Sequence, residues 1–168
     1  MTIATASVPA RLARAGKYLT FFLGAEEYGV EILKVHEIIG ILPITRVPRT
    51  PSFIRGVINL RGKVIPIIDL RDRFGMPREE ANESCIIVVA IRGIQLGAVV
   101  DKVSEVLNIA EDSIEPTPSF GVDVNTEYLL GLAKGDGRVR LLLDIDKVLT
   151  TTELTAVEAT SAPSAPSE

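Results

Sequence analysis

The chain has 168 residues, 46% of them apolar and 24% charged, with a net charge of −4. That length suits one compact domain or two small, mutually dependent units, and the acidic balance argues against a general binder of phosphate backbones, which needs clustered Lys and Arg. Cys85 is the single cysteine, so an intramolecular disulfide is excluded and a structural zinc site would lack thiolates.

A reducing cytoplasm is the natural compartment for such a chain. No run approaches the length of a membrane span, and the N-terminus has no basic segment followed by an apolar block, so neither secretion nor membrane insertion is expected. Residues 1–16 carry no sustained strand period and read as a flexible terminus. Residues 17–23, Lys-Tyr-Leu-Thr-Phe-Phe-Leu, form a strand, and after a turn at residues 24–27 the chain returns as Tyr28-Gly29-Val30-Glu31-Ile32. Residues 33–40 fit one helical face or a bulged strand; their β-branched content favours strand. Pro43, Pro48 and Pro51 then mark an extended, irregular loop.

Residues 56–70, Gly-Val-Ile-Asn-Leu-Arg-Gly-Lys-Val-Ile-Pro-Ile-Ile-Asp-Leu, read as a hairpin with Arg61 at its tip. Pro66 cannot donate to a ladder and is expected at a sheet edge or bulge. Asp69 is placed to cap a short helix that Gly75 and Pro77 end. Residues 78–84 are polar and read as a connector. Two further strands, residues 85–91 and 94–100, turn at Arg92-Gly93. A segment with Pro116, Pro118 and Phe120 leads to a last hairpin turning at Gly135-Asp136-Gly137, and Asp144 opens a second short helical turn. Residues 150–168 are rich in Thr, Ala, Ser and Pro and read as a disordered tail.

The chain repeats itself. Gly131, Gly137 and Asp144 follow Gly56, Gly62 and Asp69 by a constant 75 residues, and the stretch from Leu96 to Leu107 overlies that from Tyr28 to Ile39 at an offset of 68. The second copy therefore carries seven extra residues between its halves. The expected fold is all-β: a tandem duplication of two small five-stranded barrels with short helices, over residues 17–84 and 85–149.

No catalytic constellation emerges. His36 is the lone histidine and sits in an apolar run; Cys85 opens an aliphatic strand and reads as packing. Gly135-Asp136-Gly137 lacks the Lys-Ser/Thr of a phosphate loop. Asp69 and Asp144 occupy equivalent positions and read as caps. Neither a metal nor a cofactor is expected. Function is then expected at docking surfaces, with Arg61 as the sharpest candidate and Glu37 as a similar one.

Tyr28-Gly29-Val30-Glu31-Ile32-Leu33-Lys34-Val35-His36-Glu37-Ile38, the Asn59-Leu60-Arg61-Gly62 turn, Pro66-Ile67-Ile68-Asp69-Leu70 and Thr126-Glu127-Tyr128-Leu129-Leu130-Gly131 closely resemble the CheW family of bacterial chemotaxis coupling proteins. The module also occurs in CheA and CheV. The resemblance implies two OB-like barrels that exchange strands. It also implies a non-catalytic, cytoplasmic adaptor recruited to receptor arrays, which joins the cytoplasmic tip of methyl-accepting chemoreceptors to the regulatory domain of the histidine kinase CheA. It carries receptor contact onto Val35, Glu37, Arg61 and Val106, gives Gly56 and Gly131 a supporting role in groove geometry, and makes Phe120 similar to a kinase-contact position. Two alternatives stand beside it: the same module in a chemosensory pathway for pili or gliding, and an oligonucleotide-binding barrel, which the acidic balance and scarce aromatics disfavour.

Overall fold

The computed structural model describes residues 15–77, 84–116, 128–135, 137–149 and 151–161, with side chains at residues 152–157 of the last segment. Phe120 lies outside the described residues, as do residues 1–14 of the expected flexible terminus, residues 78–83 of the connector and Asp136. In chain order the strands are β1 (Gly16–Leu23), β2 (Glu26–Glu31), β3 (Val35–Gly40), β4 (Ile54–Leu60) and β5 (Lys63–Asp69), then helix α1 (Leu70–Arg73). The second half contributes β6 (Cys85–Ile91), β7 (Ile94–Val100), β8 (Lys102–Ile109), the two-residue β9 (Ile114–Glu115), β10 (Leu129–Gly135), β11 (Arg138–Leu143) and helix α2 (Thr151–Ser161). The undecided stretch after β2 splits: Ile32–Lys34 is a 3-10 turn, and the β-branched residues beyond it form β3.

These elements divide into two compact units that do not follow the sequence copies. One comprises the described residues of Met1–Lys34 and Val103–Val148, the other those of Val35–Lys102 and Leu149–Glu168. A boundary at residue 84 thus separates the copies in sequence but not in space. The first unit's sheet has the order β9-β10-β11-β2-β1-β8, the second's β3-β6-β7-β5-β4. Each unit is joined across the copies by a parallel pair: Leu142 opposes Gly29 in the first, and Ile67 opposes Gly97 in the second. The repeat offsets make these the same pairing, because Leu142 follows Ile67 by 75 residues and Gly97 follows Gly29 by 68. Each barrel therefore takes one hairpin from each copy.

The sixth strand of the first unit is no extra element. β8 and β9 lie at opposite ends of the strand order yet follow one another along the chain, so the sheet curls back through one bent segment. In the second unit the stretch after β3 does the same. Thr45 and Val57 exchange both backbone hydrogen bonds at 2.9 Å, joining the far side of β4 to the chain that leaves β3. Closure of this kind removes exposed sheet edges.

The cores are aliphatic, as the composition predicts. Tyr18, Ile109, Ile114, Leu130, Ala133 and Leu142 pack together in the first unit. Ile58, Leu60, Ile65, Ile67, Ile86, Val88 and Val99 do so in the second, with Ile39, Leu42 and Ile44 against them. Each fully buried Val, Leu or Ile among them stabilises by roughly 1.5–3 kcal/mol on burial.

Two expectations are corrected. Pro66 is buried on β5, an inner strand, not at an edge or bulge. It is tolerated because Val57 opposite it spends its backbone groups on Thr45, while pairing of β5 with β7 starts only at Ile67. The expected tail after residue 149 is instead helix α2 as far as Ser161, with residues 162–168 outside the description. Its composition is polar, but Leu154 and Val157 are three apart, fall on one helical face and are buried. Arg73 holds Glu153 at 3.1 Å, and the Arg92 side chain donates to the Leu149 carbonyl at 3.4 Å.

Candidate functional site

The turn that presents Arg61 is tight. Arg61 and Gly62 have φ of +54° and +87°, the pair of left-handed residues that a type I′ hairpin requires, and Gly62 N–H donates to Asn59 Oδ1 at 2.7 Å. Arginine is an unusual choice at the first of these positions. The tip lies in the second unit with β3, whose pairing with β6 slips between Val35, opposite Val89, and Glu37, opposite Val88. Along this strand Val35 and Glu37 are half-buried while His36 and Ile38 are exposed.

Arg61 Nη2 and Glu37 Oε2 form an ion pair between the hairpin tip and β3. The Arg61 side chain keeps 69% of its exposure and Glu37 30%, so the pair is a solvated surface feature with its guanidinium still available. Beside it Lys63 Nζ donates to Gln95 Oε1 at 2.8 Å, and Gln95 Nε2 lies 3.5 Å from His36 Nδ1. Three of the anticipated contact residues, Val35, Glu37 and Arg61, thus share one unit. Val106 lies on β8 of the other, half exposed at 50%. Its repeat equivalent is Ile38, exposed at 44%.

No sequence pattern singles out Lys63 or Gln95. Lys63 and Gln95 meet His36 only because β3, β5 and β7 fold into one sheet, and no linear spacing joins them. Ile38 was visible as the partner of Val106 in the repeat.

Gly56 and Gly131 have a definite job within their own units. A Cβ on Gly56, whose φ is +140°, would stand 2.1 Å from the Thr45 carbonyl oxygen; one on Gly131 would stand 2.8 Å from that of Glu115. Both sit at bulges, where the closing segment crosses the hairpin. Asp69 accepts from Arg71 N–H at 2.9 Å and Asp72 N–H at 3.3 Å, and Asp144 accepts from Asp146 N–H at 3.2 Å, so both are caps. The buried charges are paired within the fold: Arg71 holds Asp101 through two bonds of 2.8 and 2.5 Å, and Glu27 lies 3.2 Å from Arg140 and 3.3 Å from Arg138. Among the described residues no group of three His, Cys, Asp or Glu side chains is placed to hold a metal ion, and no helix is long and apolar enough to cross a membrane. What the surface offers chemically is recognition: an oriented guanidinium, a carboxylate and aliphatic side chains on a rigid sheet.

The CheW-like domain model matches residues 17–153, which takes in the start of α2. The chemotaxis protein CheW of Klebsiella aerogenes is 43% identical over 157 residues, covering 93% of this chain and 95% of its own. That of Rhizobium meliloti is 35% identical over 151 residues, covering 84% and 97%. Among solved structures, the scaffolding protein CheW of Thermoanaerobacter tengcongensis superposes with a TM-score of 0.75 at 40% identity, covering 83% of this chain and 96% of its own. Together with the doubled, strand-exchanged barrels, these matches show that the chain belongs to the CheW-like domain family.

Proposed function

We propose that this chain is the non-catalytic coupling adaptor of a chemotaxis pathway, holding the cytoplasmic tip of methyl-accepting chemoreceptors and the regulatory domain of the histidine kinase CheA so that receptor state reaches the kinase. The observation that carries the reading is the Arg61–Glu37 pair, set on a rigid turn and a bulged strand in a fold of the CheW-like family. At the equivalent positions of the second copy stand Glu105 and Asp136, both acidic, so only one copy can form it.

In this reading Val35 and Val106 each supply apolar contact to the receptor, and Arg61 and Glu37 fix the orientation of the helix they meet and reject wrong partners. Gly56 and Gly131 act indirectly, by letting the closing segments pass behind the hairpins. Phe120 contacts the kinase. The adaptor works in the cytoplasm, recruited to membrane-associated receptor arrays. Relatives described as chemotaxis proteins favour this pathway over one for pili or gliding.

Co-sedimentation with vesicle-bound receptor tips and CheA tests it. Wild-type protein is expected in the ternary pellet. Arg61→Glu and Val35→Asp are expected to keep the wild-type circular dichroism spectrum and lose receptor-dependent sedimentation at least tenfold. Retention of receptor binding by both variants overturns the site assignment, and absence of any wild-type ternary complex overturns the adaptor reading.

A further inference from the structure

We propose a second docking site, on the unit that carries Arg61: a cleft in front of β4 that takes an acidic peptide segment of a partner protein. The cleft is a cavity of 740 Å³, lined by Arg46, Val47, Pro48, Arg49, Ile54 and Arg55 among others. Three arginines line it and, among the described residues that do so, none is acidic. In a chain of net charge −4 this is a local excess of positive charge, reduced but not cancelled by Asp69 and Asp72, which stand 3.5 Å from the lining side chains of Arg55 and Ser52.

The site is held in shape before any ligand arrives. Arg46 and Arg49 are exposed, while Arg55 is half-buried with Asp69 Oδ2 3.5 Å behind its Nη1. Pro48 and Pro51 fix φ within the loop, Thr50 Oγ1 donates to the Val47 carbonyl at 2.9 Å, and the Thr45–Val57 bridge clamps its start. Arg49 sits at φ +65°, a left-handed conformation that a flexible loop would abandon. Binding a ligand here therefore costs little loop ordering.

Guanidinium groups suit carboxylates and phosphates alike. The rest of the lining separates the two. Among the lining residues there is no aromatic side chain on which a nucleotide base would stack and no glycine to form a phosphate-cradling nest, whereas Val47, Pro48 and Ile54 offer an apolar floor. Carboxylates interspersed with aliphatic residues match that combination, and an extended peptide supplies both at alternate positions.

The test uses the full chain, isotope-labelled for NMR, and a fluorescein-labelled hexapeptide alternating Glu and Leu. Peptide binding is expected to shift backbone and Arg Nε–H resonances within residues 44–55 and to weaken with salt. Affinity is expected to fall at least tenfold when Gln replaces Glu in the peptide, and equally in an Arg46→Gln/Arg49→Gln variant. Arg49→Gly, which suits the left-handed backbone and keeps the loop, is expected to weaken binding too. Arg61→Glu is expected to bind the peptide like wild type, which separates this site from the receptor face. Undiminished affinity of the Gln peptide or of the double variant overturns the proposal. So does competition by inorganic phosphate or anionic phospholipid vesicles at concentrations below that of the peptide.

Discussion

Arg61 and Arg92 both precede a glycine at a hairpin tip and both take a positive φ, +54° and +49°. Backbone strain of this kind, of order 1 kcal/mol, therefore does not by itself mark a contact residue; what distinguishes Arg61 is Glu37 across from it. The sequence showed the tip and the repeat asymmetry, but not that β3 would bring a carboxylate to the turn. The same holds for the glycines. Their equivalence was visible as a constant offset, whereas the reason for it, a carbonyl passing where a Cβ would be, needs the closed barrel. That geometry ranks two substitutions. Gly56→Ala puts a Cβ 2.1 Å from a backbone oxygen at a positive φ and should cost about 3 kcal/mol or more. Gly131→Ala meets its carbonyl at 2.8 Å and should cost about 1–3 kcal/mol, a difference urea denaturation resolves. Tyr28 gives a pH prediction. Burial, then Tyr128 and Glu26, push its phenol above the ordinary tyrosine value, and it stacks on Phe21 with ring centroids 5.7 Å apart. The folded state then holds a proton that the unfolded chain releases, so this stability is complete below about pH 10 and is lost as pH rises toward the folded value. Tyr28→Phe should lose less stability than wild type between about pH 8 and pH 11, measured as urea midpoints.

Hairpins were readable from the chain because turn residues punctuate them: Asn59 to Gly62 and Arg92-Gly93 mark their own reversals, and the flanking runs alternate or are wholly apolar. β3 was ambiguous for a physical reason. Its inward positions are Val35, Glu37 and Ile39, one of them charged, while the apolar Ile38 faces out, which leaves an apolar spacing of Val35, Ile38 and Ile39 that also fits a helix. α2 was missed because its stability is tertiary. Isolated helices of eleven residues are marginal in water, and the buried side chains of Leu154, at 6% exposure, and Val157, at 0%, fasten it to its unit. Replacing both should therefore act on the helix as a whole. Leu154→Ala/Val157→Ala is expected to destabilise by about 3–5 kcal/mol, the sum of two buried truncations, with loss of helical signal at 222 nm preceding the sheet transition on heating. Coincident transitions at unchanged temperature would show that the helix contributes nothing to the unit.

At the level of the whole chain, duplication and exchange together decide how folding proceeds. The repeat was evident from glycines and aspartates at fixed offsets, but offsets are silent about which hairpin pairs with which. A barrel built within one copy and one built across copies use equivalent strands in equivalent registers, so no residue pattern separates them. The parallel pairs Gly29–Leu142 and Ile67–Gly97 settle the matter, with a sequence separation of more than a hundred residues in the first. Such pairing makes loop closure expensive and folding slow. It also means that neither half of the chain holds a whole barrel: β3, β4 and β5 find β6 and β7 only in the second half, as β1 and β2 find β8, β10 and β11. Fragments of residues 1–84 and 85–168, expressed apart, should each lack a cooperative urea transition as monomers. Mixed in equal amounts after denaturation, they should recover the β-sheet circular dichroism and the transition of the intact chain, at a rate that rises with concentration. Independent cooperative folding of a monomeric 1–84 fragment would mean that a copy closes on itself nearly as well, and that the linkage between the copies, more than strand pairing, maintains the exchanged arrangement.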